Sequence, residues 1–121
     1  MAKILIIEDE KILAEMYKEK LVEEGFKVDV AFSCQEGIDY LKDNKPDLIL
    51  LDILLPAENG ISFLEKIKKI PNTENIPIVA FSNYDEPKTK KQAFTLGVKA
   101  YLIKAQYTPK QLVNEIKKYL L

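Results

Sequence analysis

The stretch Asp47–Pro56, DLILLDILLP, sets one carboxylate inside an otherwise apolar run. Leu48 to Leu51 precede Asp52 and Ile53 to Leu55 follow it, before Pro56 stops any regular element. A short continuous run of Leu and Ile predicts a strand buried on both faces, the kind found in a parallel sheet. A lone acid at the end of such a strand is costly to bury without a partner. Two readings are open for Asp52 taken by itself: it caps the turn that follows, or it is there for chemistry.

The rest of the chain supplies four more strands and the helices between them. Ile4–Ile7 is a first apolar run, ended by Glu8, Asp9 and Glu10. Ile12, Leu13, Met16, Tyr17 and Leu21 then recur at helical spacing and predict a core-facing stripe, with Gly25 closing that helix. Lys27–Phe32 alternates imperfectly and reads as a strand nearer the sheet edge. Ser33–Glu36 has the capping-box pattern and opens a short helix through Ile38 and Leu41. After the Asp52 strand, Asn59 can cap a helix carrying Ile61, Phe63, Leu64 and Ile67. Ile76–Phe81 is a fourth buried strand ending at Ser82-Asn83, with Pro77 near its start, where a missing donor is tolerated. A less clearly amphipathic helix spans Asp85–Leu96, made basic by Lys88, Lys90 and Lys91 and closed by Gly97. Ala100–Ile103 is a fifth strand ending at Lys104, and Thr108–Gln111 is a second capping box, with Pro at the first helical position, opening the last helix. Five strand–helix units with short connections call for an α/β fold: a doubly wound, flavodoxin-like parallel sheet of five strands in the order 2-1-3-4-5, with five helices on its two faces and right-handed crossovers.

Composition narrows function. The 121 residues fit one domain, and 47% of them are apolar, ordinary for a globular chain. Eighteen basic residues against nineteen acidic ones give no footprint for nucleic acid or a membrane surface. The absence of His removes the usual general base and the commonest transition-metal ligand. Cys34 stands alone, so no internal disulfide forms, which suits a reducing compartment, and the residue reads as a small, partly buried filler. No apolar run is long enough to span a bilayer and the opening one is too short for a signal peptide, so a cytoplasmic location is expected.

In sheets of this kind ligands bind beyond the carboxyl ends of the strands, at the switch point. Those ends carry Glu8 and Asp9, Asp52, Ser82, and Lys104, each group on a different strand. With the first and third strands as central neighbours, Glu8, Asp9 and Asp52 converge. Three close carboxylates repel unless a cation sits among them, and oxygen ligands select a hard one, Mg²⁺. Ser82 adds a hydroxyl and Lys104 a positive charge. A nucleophilic carboxylate, a metal and two groups for phosphoryl oxygens make a phosphoryl-transfer site that works by positioning and electrostatics. Singly, each residue also has a plainer reading: Asp9 as a helix cap, Glu8 and Glu10 as solvated acids, Ser82 as a turn residue, Lys104 as a surface lysine, Tyr101 as a packed strand aromatic.

Carried by these residues, the chain resembles the receiver domain of two-component response regulators from Ile4 to Leu120. The specific parts are Glu8-Asp9, Asp52, the turn Pro56-Ala57-Glu58-Asn59-Gly60, Ser82, Tyr101 and Lys104. The resemblance implies a single stand-alone receiver domain over residues 1–121 without an output domain. It implies a phosphorylation-activated switch, not an enzyme, although it would assist its own phosphotransfer and dephosphorylation. Asp52 would accept the phosphoryl group from a sensor histidine kinase or a histidine phosphotransfer protein. Glu8, Asp9, Asp52 and the backbone carbonyl of Leu54 would hold Mg²⁺, and Lys104 would pair with the phosphoryl group. Ser82 would swing toward that group, Tyr101 would follow, and the fourth helix, fifth strand and fifth helix would form the responsive face. Output would be contact with a downstream protein, without direct nucleic-acid or membrane binding, by a monomer or a weak dimer through that face.

Three departures from the family pattern involve four residues. Ala105 stands where Pro, often preceded by a cis peptide, is usual; a cis bond before a non-proline residue costs about 2.5–4 kcal/mol, so the Lys104–Ala105 bond is trans or strained. Asn83 follows the switch hydroxyl where a small residue is usual, and its bulk is expected to narrow access to the phosphoryl group. Leu54 and Tyr84 bring apolar surface to positions that influence how water reaches an acyl phosphate. Two other functions are compatible with parts of this pattern: a receiver-like interaction module that is never phosphorylated, and a Mg²⁺-dependent phosphohydrolase using Asp52. The hydrolase lacks its second acid, since Leu54 stands two residues after the nucleophile. A flavin-binding module needs a phosphate-cradling loop, and Glu8-Asp9-Glu10 has the wrong charge for one.

Overall fold

The chain forms β1 (Lys3–Ile7), α1 (Lys11–Glu23), β2 (Lys27–Ala31), α2 (Cys34–Asp43), β3 (Leu48–Leu51), α3 (Gly60–Ile67), β4 (Ile78–Ser82), α4 (Pro87–Thr95), β5 (Ala100–Ile103) and α5 (Pro109–Lys118), with a 3₁₀ turn, Lys104–Gln106, between the last two. This computed structural model describes residues 2–55 and 58–120; Pro56 and Ala57, the start of the turn expected after β3, lie outside the described residues. All strand pairs are parallel and their order is β2-β1-β3-β4-β5, as the alternation of strands and helices predicts.

The apolar runs are two-faced because the sheet is covered twice. On one side Ile4, Ile6, Leu48, Leu50, Val79 and Phe81 pack with Tyr17 and Leu21 of α1 and Leu112, Val113 and Ile116 of α5. On the other, Leu5, Ile7, Ile49, Leu51 and Ala80 meet Leu41, Phe63, Leu64, Ile67 and Ala93 of α2, α3 and α4. Each fully buried Leu or Ile contributes about 1.5–3 kcal/mol, so the central strands are the rigid part of the molecule.

Local signals in the sequence close the helices where expected. Ser33 Oγ accepts the Glu36 amide, while the Glu36 carboxylate reaches back to the Phe32 amide, one residue earlier than in a strict capping box. Thr108 and Gln111 form the full reciprocal box. Gly25 follows α1 at φ +96°, a conformation that would strain a residue with a side chain.

The expected core stripe of α1 needs correction. Ile12 is 87% exposed and Met16 40% exposed, while Ala14, Tyr17 and Leu21 face the sheet. Fully buried Ala14 lies between α1 and the sheet, and its small side chain lets the helix approach closely. Choosing the largest apolar residues rotates the predicted face away from it.

Candidate functional site

Backbone pairing continues one residue past the strand ends and sets the site. The Asp52 amide donates to the Ile7 carbonyl (2.9 Å), and the Glu8 amide to the Ala31 carbonyl (3.0 Å). Asp52 and Glu8 are therefore aimed from adjacent paired strands, and both are buried. The segment after Asp52 is pinned too. The Gly60 amide donates to the Ile53 carbonyl (2.7 Å), bringing the start of α3 onto the strand end. A Cβ at position 60 would lie 2.8 Å from Ile53 Cα and 3.0 Å from the Asp52 carbonyl, so only glycine fits this approach. Asn59 caps α3 through the Ser62 amide (3.0 Å), and Glu58 is tied to that helix by Ser62 Oγ (2.8 Å) and Lys66 Nζ (2.5 Å). The buried Cys34 thiol donates to the Glu58 carbonyl (3.4 Å); burial first, then the Glu58 charge, push it up to about 11, so it is an inert packing group.

The expected set converges. Glu8, Asp9 and Asp52 each offer an oxygen, and those oxygens all lie within 4.8 Å of one another. Lys104 Nζ, on a side chain only 10% exposed, bonds Asp52 Oδ2 at 3.0 Å and also Glu8 Oε1. Burial raises the Glu8 carboxyl above its ordinary value and the Asp52 charge adds to this, against the pull of Lys104. Burial drags Lys104 down, but its bond to Glu8 and the Asp52 charge outweigh it and hold the ammonium above its usual range. Three carboxylates against one ammonium leave surplus negative charge. An all-oxygen donor set of this size fits a hard divalent cation such as Mg²⁺.

The plainer readings fare unevenly. Glu8 is not a solvated acid, and Lys104 is not a surface lysine. Asp9 is partly exposed and does not cap α1, whose N-cap is Glu10 without a side-chain bond. Asp52 does bond the turn that follows it, its Oδ1 accepting the Leu54 amide (3.1 Å), while its Oδ2 meets Lys104.

Around this centre, Ser82 is buried at the end of β4 and its Oγ accepts the Tyr84 amide (3.1 Å); a hydroxyl so bonded still has a proton to donate. Tyr101 is half-buried and its hydroxyl donates to the Tyr84 carbonyl (2.5 Å). Burial, then the charges of Asp52 and Asp85, push that phenol up to about 12. Lys90 Nζ sits 5.8 Å from the centroid of the Tyr101 ring while pairing with Asp85. The Leu54 side chain is half-exposed and lines, with Tyr84, Asn59 and Ser62, a cleft of about 430 Å³ between α3 and α4.

The Lys104–Ala105 peptide is trans. Two features escaped the sequence. Lys104 pairs with Glu8 as well as Asp52, a contact that follows from Glu8 being buried. Asn83 Oδ1 accepts the Ala105 amide (2.9 Å), joining two of the departing positions across neighbouring loops.

Fold and site together define a class: a doubly wound α/β protein with a carboxylate trio, a hydroxyl and an ammonium at its switch point. The chain belongs to the response regulator receiver domain family, whose model matches residues 4–117. It is 34% identical over 115 residues to the phosphate regulon transcriptional regulatory protein PhoB of Escherichia coli, a match covering 95% of this chain and 50% of that protein. Among solved structures, a response regulator receiver domain protein (CheY-like) from Methanospirillum hungatei superposes with a TM-score of 0.92 at 28% identity, covering 99% of this chain and 94% of that one. A two-component response regulator from Clostridium difficile does so at 0.89 and 32% identity, covering 99% and 96%. The chain spans about half the length of the curated relatives it matches. Among the described residues, no helix is long and apolar enough to cross a membrane.

Proposed function

We propose that this receiver domain takes a phosphoryl group onto Asp52 from a phosphohistidine of a sensor histidine kinase or histidine phosphotransfer protein, and that the acyl phosphate switches the α4–β5–α5 face for contact with a downstream protein. The observation that carries this reading is the placement of Lys104 Nζ against both Asp52 and Glu8, beside three carboxylates whose oxygens lie within 4.8 Å. An Asp52 oxygen attacks phosphorus, the P–N bond breaks, and its electron pair leaves with the imidazole, which takes a proton. Glu8, Asp9, Asp52 and the Leu54 carbonyl would hold Mg²⁺, which would supply positive charge against the carboxylates and the phosphoryl oxygens. Lys104 exchanges its Asp52 contact for a phosphoryl oxygen. Ser82 donates its hydroxyl to another, and Tyr101 gives up the Tyr84 carbonyl and turns into the space Ser82 vacates. This small change of hydrogen bonds biases the surface.

Leu54 and Tyr84 flank the cleft beside Asp52, and their apolar parts slow the approach of water to the acyl phosphate. The near balance of basic and acidic residues supports protein contact over nucleic-acid contact for this domain; the relatives named as transcriptional regulators are about twice its length.

The test is intact mass after incubation with Mg²⁺ and acetyl phosphate or a phosphorylated histidine domain. A gain of one phosphate, lost in Asp52→Ala and on chelating the metal, is expected. No gain from either donor would leave an interaction module that works without phosphorylation, and turnover of many phosphate esters would point to the hydrolase.

A further inference from the structure

β4 and β5 run in parallel to the pair Ser82↔Ile103, and the next residues on each strand lie at the site. Lys104 opens the 3₁₀ turn, whose N-cap, Ile103, has no side chain to satisfy the turn's first amides. Asn83 Oδ1 accepts one of them, from Ala105, at 2.9 Å. A side chain 22 residues earlier in sequence thus caps the turn and extends the β4–β5 pairing by one step. The residues it joins are the immediate neighbours of Ser82 and Lys104. A long lysine reaching two carboxylates needs its Cα fixed, because a shift at the backbone is carried to Nζ.

We propose that Asn83 is a positioning residue for Lys104: by holding the Ala105 amide it fixes the β5–α5 turn and keeps the ammonium on Asp52 and Glu8, and it does this through its acceptor oxygen rather than its bulk. The inference rests on the phosphoacceptor reading for its consequence in transfer, and the Asn83–Ala105 contact is tested separately by amide exchange.

Three variants separate acceptor from bulk. Asn83→Leu keeps the bulk and loses the acceptor, Asn83→Ala loses both, and Asn83→Asp keeps the acceptor. In ¹⁵N-labelled, metal-free protein, the Ala105 amide exchanges faster in the Leu and Ala variants and at the wild-type rate in the Asp variant. The Lys104 ammonium signals broaden in the first two, while the melting temperature barely moves. Phosphorylation by acetyl phosphate with Mg²⁺ then slows about two- to tenfold, and equally, in the Leu and Ala variants, the range that one net hydrogen bond is worth. If Ala transfers faster than wild type while Leu matches wild type, Asn83 acts by bulk and the proposal is overturned. Unchanged Ala105 exchange in both variants overturns it as well. Should wild-type protein take no phosphoryl group at all, the phosphoacceptor reading fails by itself, and the tether is decided by the Ala105 and Lys104 signals.

Discussion

Replacing Lys104 by Met removes the only cation bonded to Glu8 and Asp52 among the described residues, while keeping most of the volume of a side chain that is 10% exposed. Breaking a buried ion pair from one side costs about 3–5 kcal/mol because a charge is stranded. Here proton uptake sets a ceiling. Glu8 already sits above its ordinary value of 4.5, and protonating a carboxyl of that value at pH 7 costs about 3.4 kcal/mol, falling to about 1.4 kcal/mol at pH 5.5. The sign follows. A carboxyl whose folded pKa is raised contributes stability below its unfolded pKa and loses it as pH rises through the folded value, so the variant recovers toward wild type on acidification. Urea unfolding in a metal chelator should show Lys104→Met less stable by about 3 kcal/mol at pH 7, a fall in melting temperature of about 10 °C, and by about 1–1.5 kcal/mol at pH 5.5. A loss below about 1 kcal/mol at pH 7, or one that is flat with pH, would refute the view that Lys104 compensates a buried carboxylate pair.

Asp52→Asn should lower the Glu8 pKa, since the Asp52 charge helps raise it, and leave metal-free stability equal or higher; ¹³C titration of the Glu8 carboxyl checks this, and an unchanged or raised value counts against the shared site. Gly60→Ala should destabilise by about 1–3 kcal/mol through its clash with Ile53 and slow transfer to Asp52, read by urea unfolding and by phosphorylation rate. Leu54→Asn should shorten the lifetime of the phosphorylated protein by opening the cleft mouth to water; an unchanged decay rate sinks that account of the apolar side chain.

The strand ends were readable because continuous apolar runs mark central strands, and a polar residue stopping such a run lands on one edge of the sheet. Glu8, Asp52, Ser82 and Lys104 are placed by that rule alone. The face of α1 is not legible from periodicity, which weights Ile12 and Met16 over Ala14, whose small side chain permits close approach. The Asn83–Ala105 bond left no local trace, since it joins two loops 22 residues apart and depends on where each strand ends. The double pairing of Lys104 leaves no trace in the sequence because the strand-end rule brings Glu8 to the site without saying how deeply it is buried; the Glu8 amide bond to the Ala31 carbonyl turns it inward.

Asp52, and no other carboxylate of the trio, is expected to become the acyl phosphate. Borohydride reduces an aspartyl phosphate to homoserine, so protein treated with Mg²⁺ and acetyl phosphate, then reduced, digested and mapped by mass, should carry homoserine at position 52 alone. Homoserine at position 9, or unmodified peptides throughout after a confirmed one-phosphate mass gain, would contradict it.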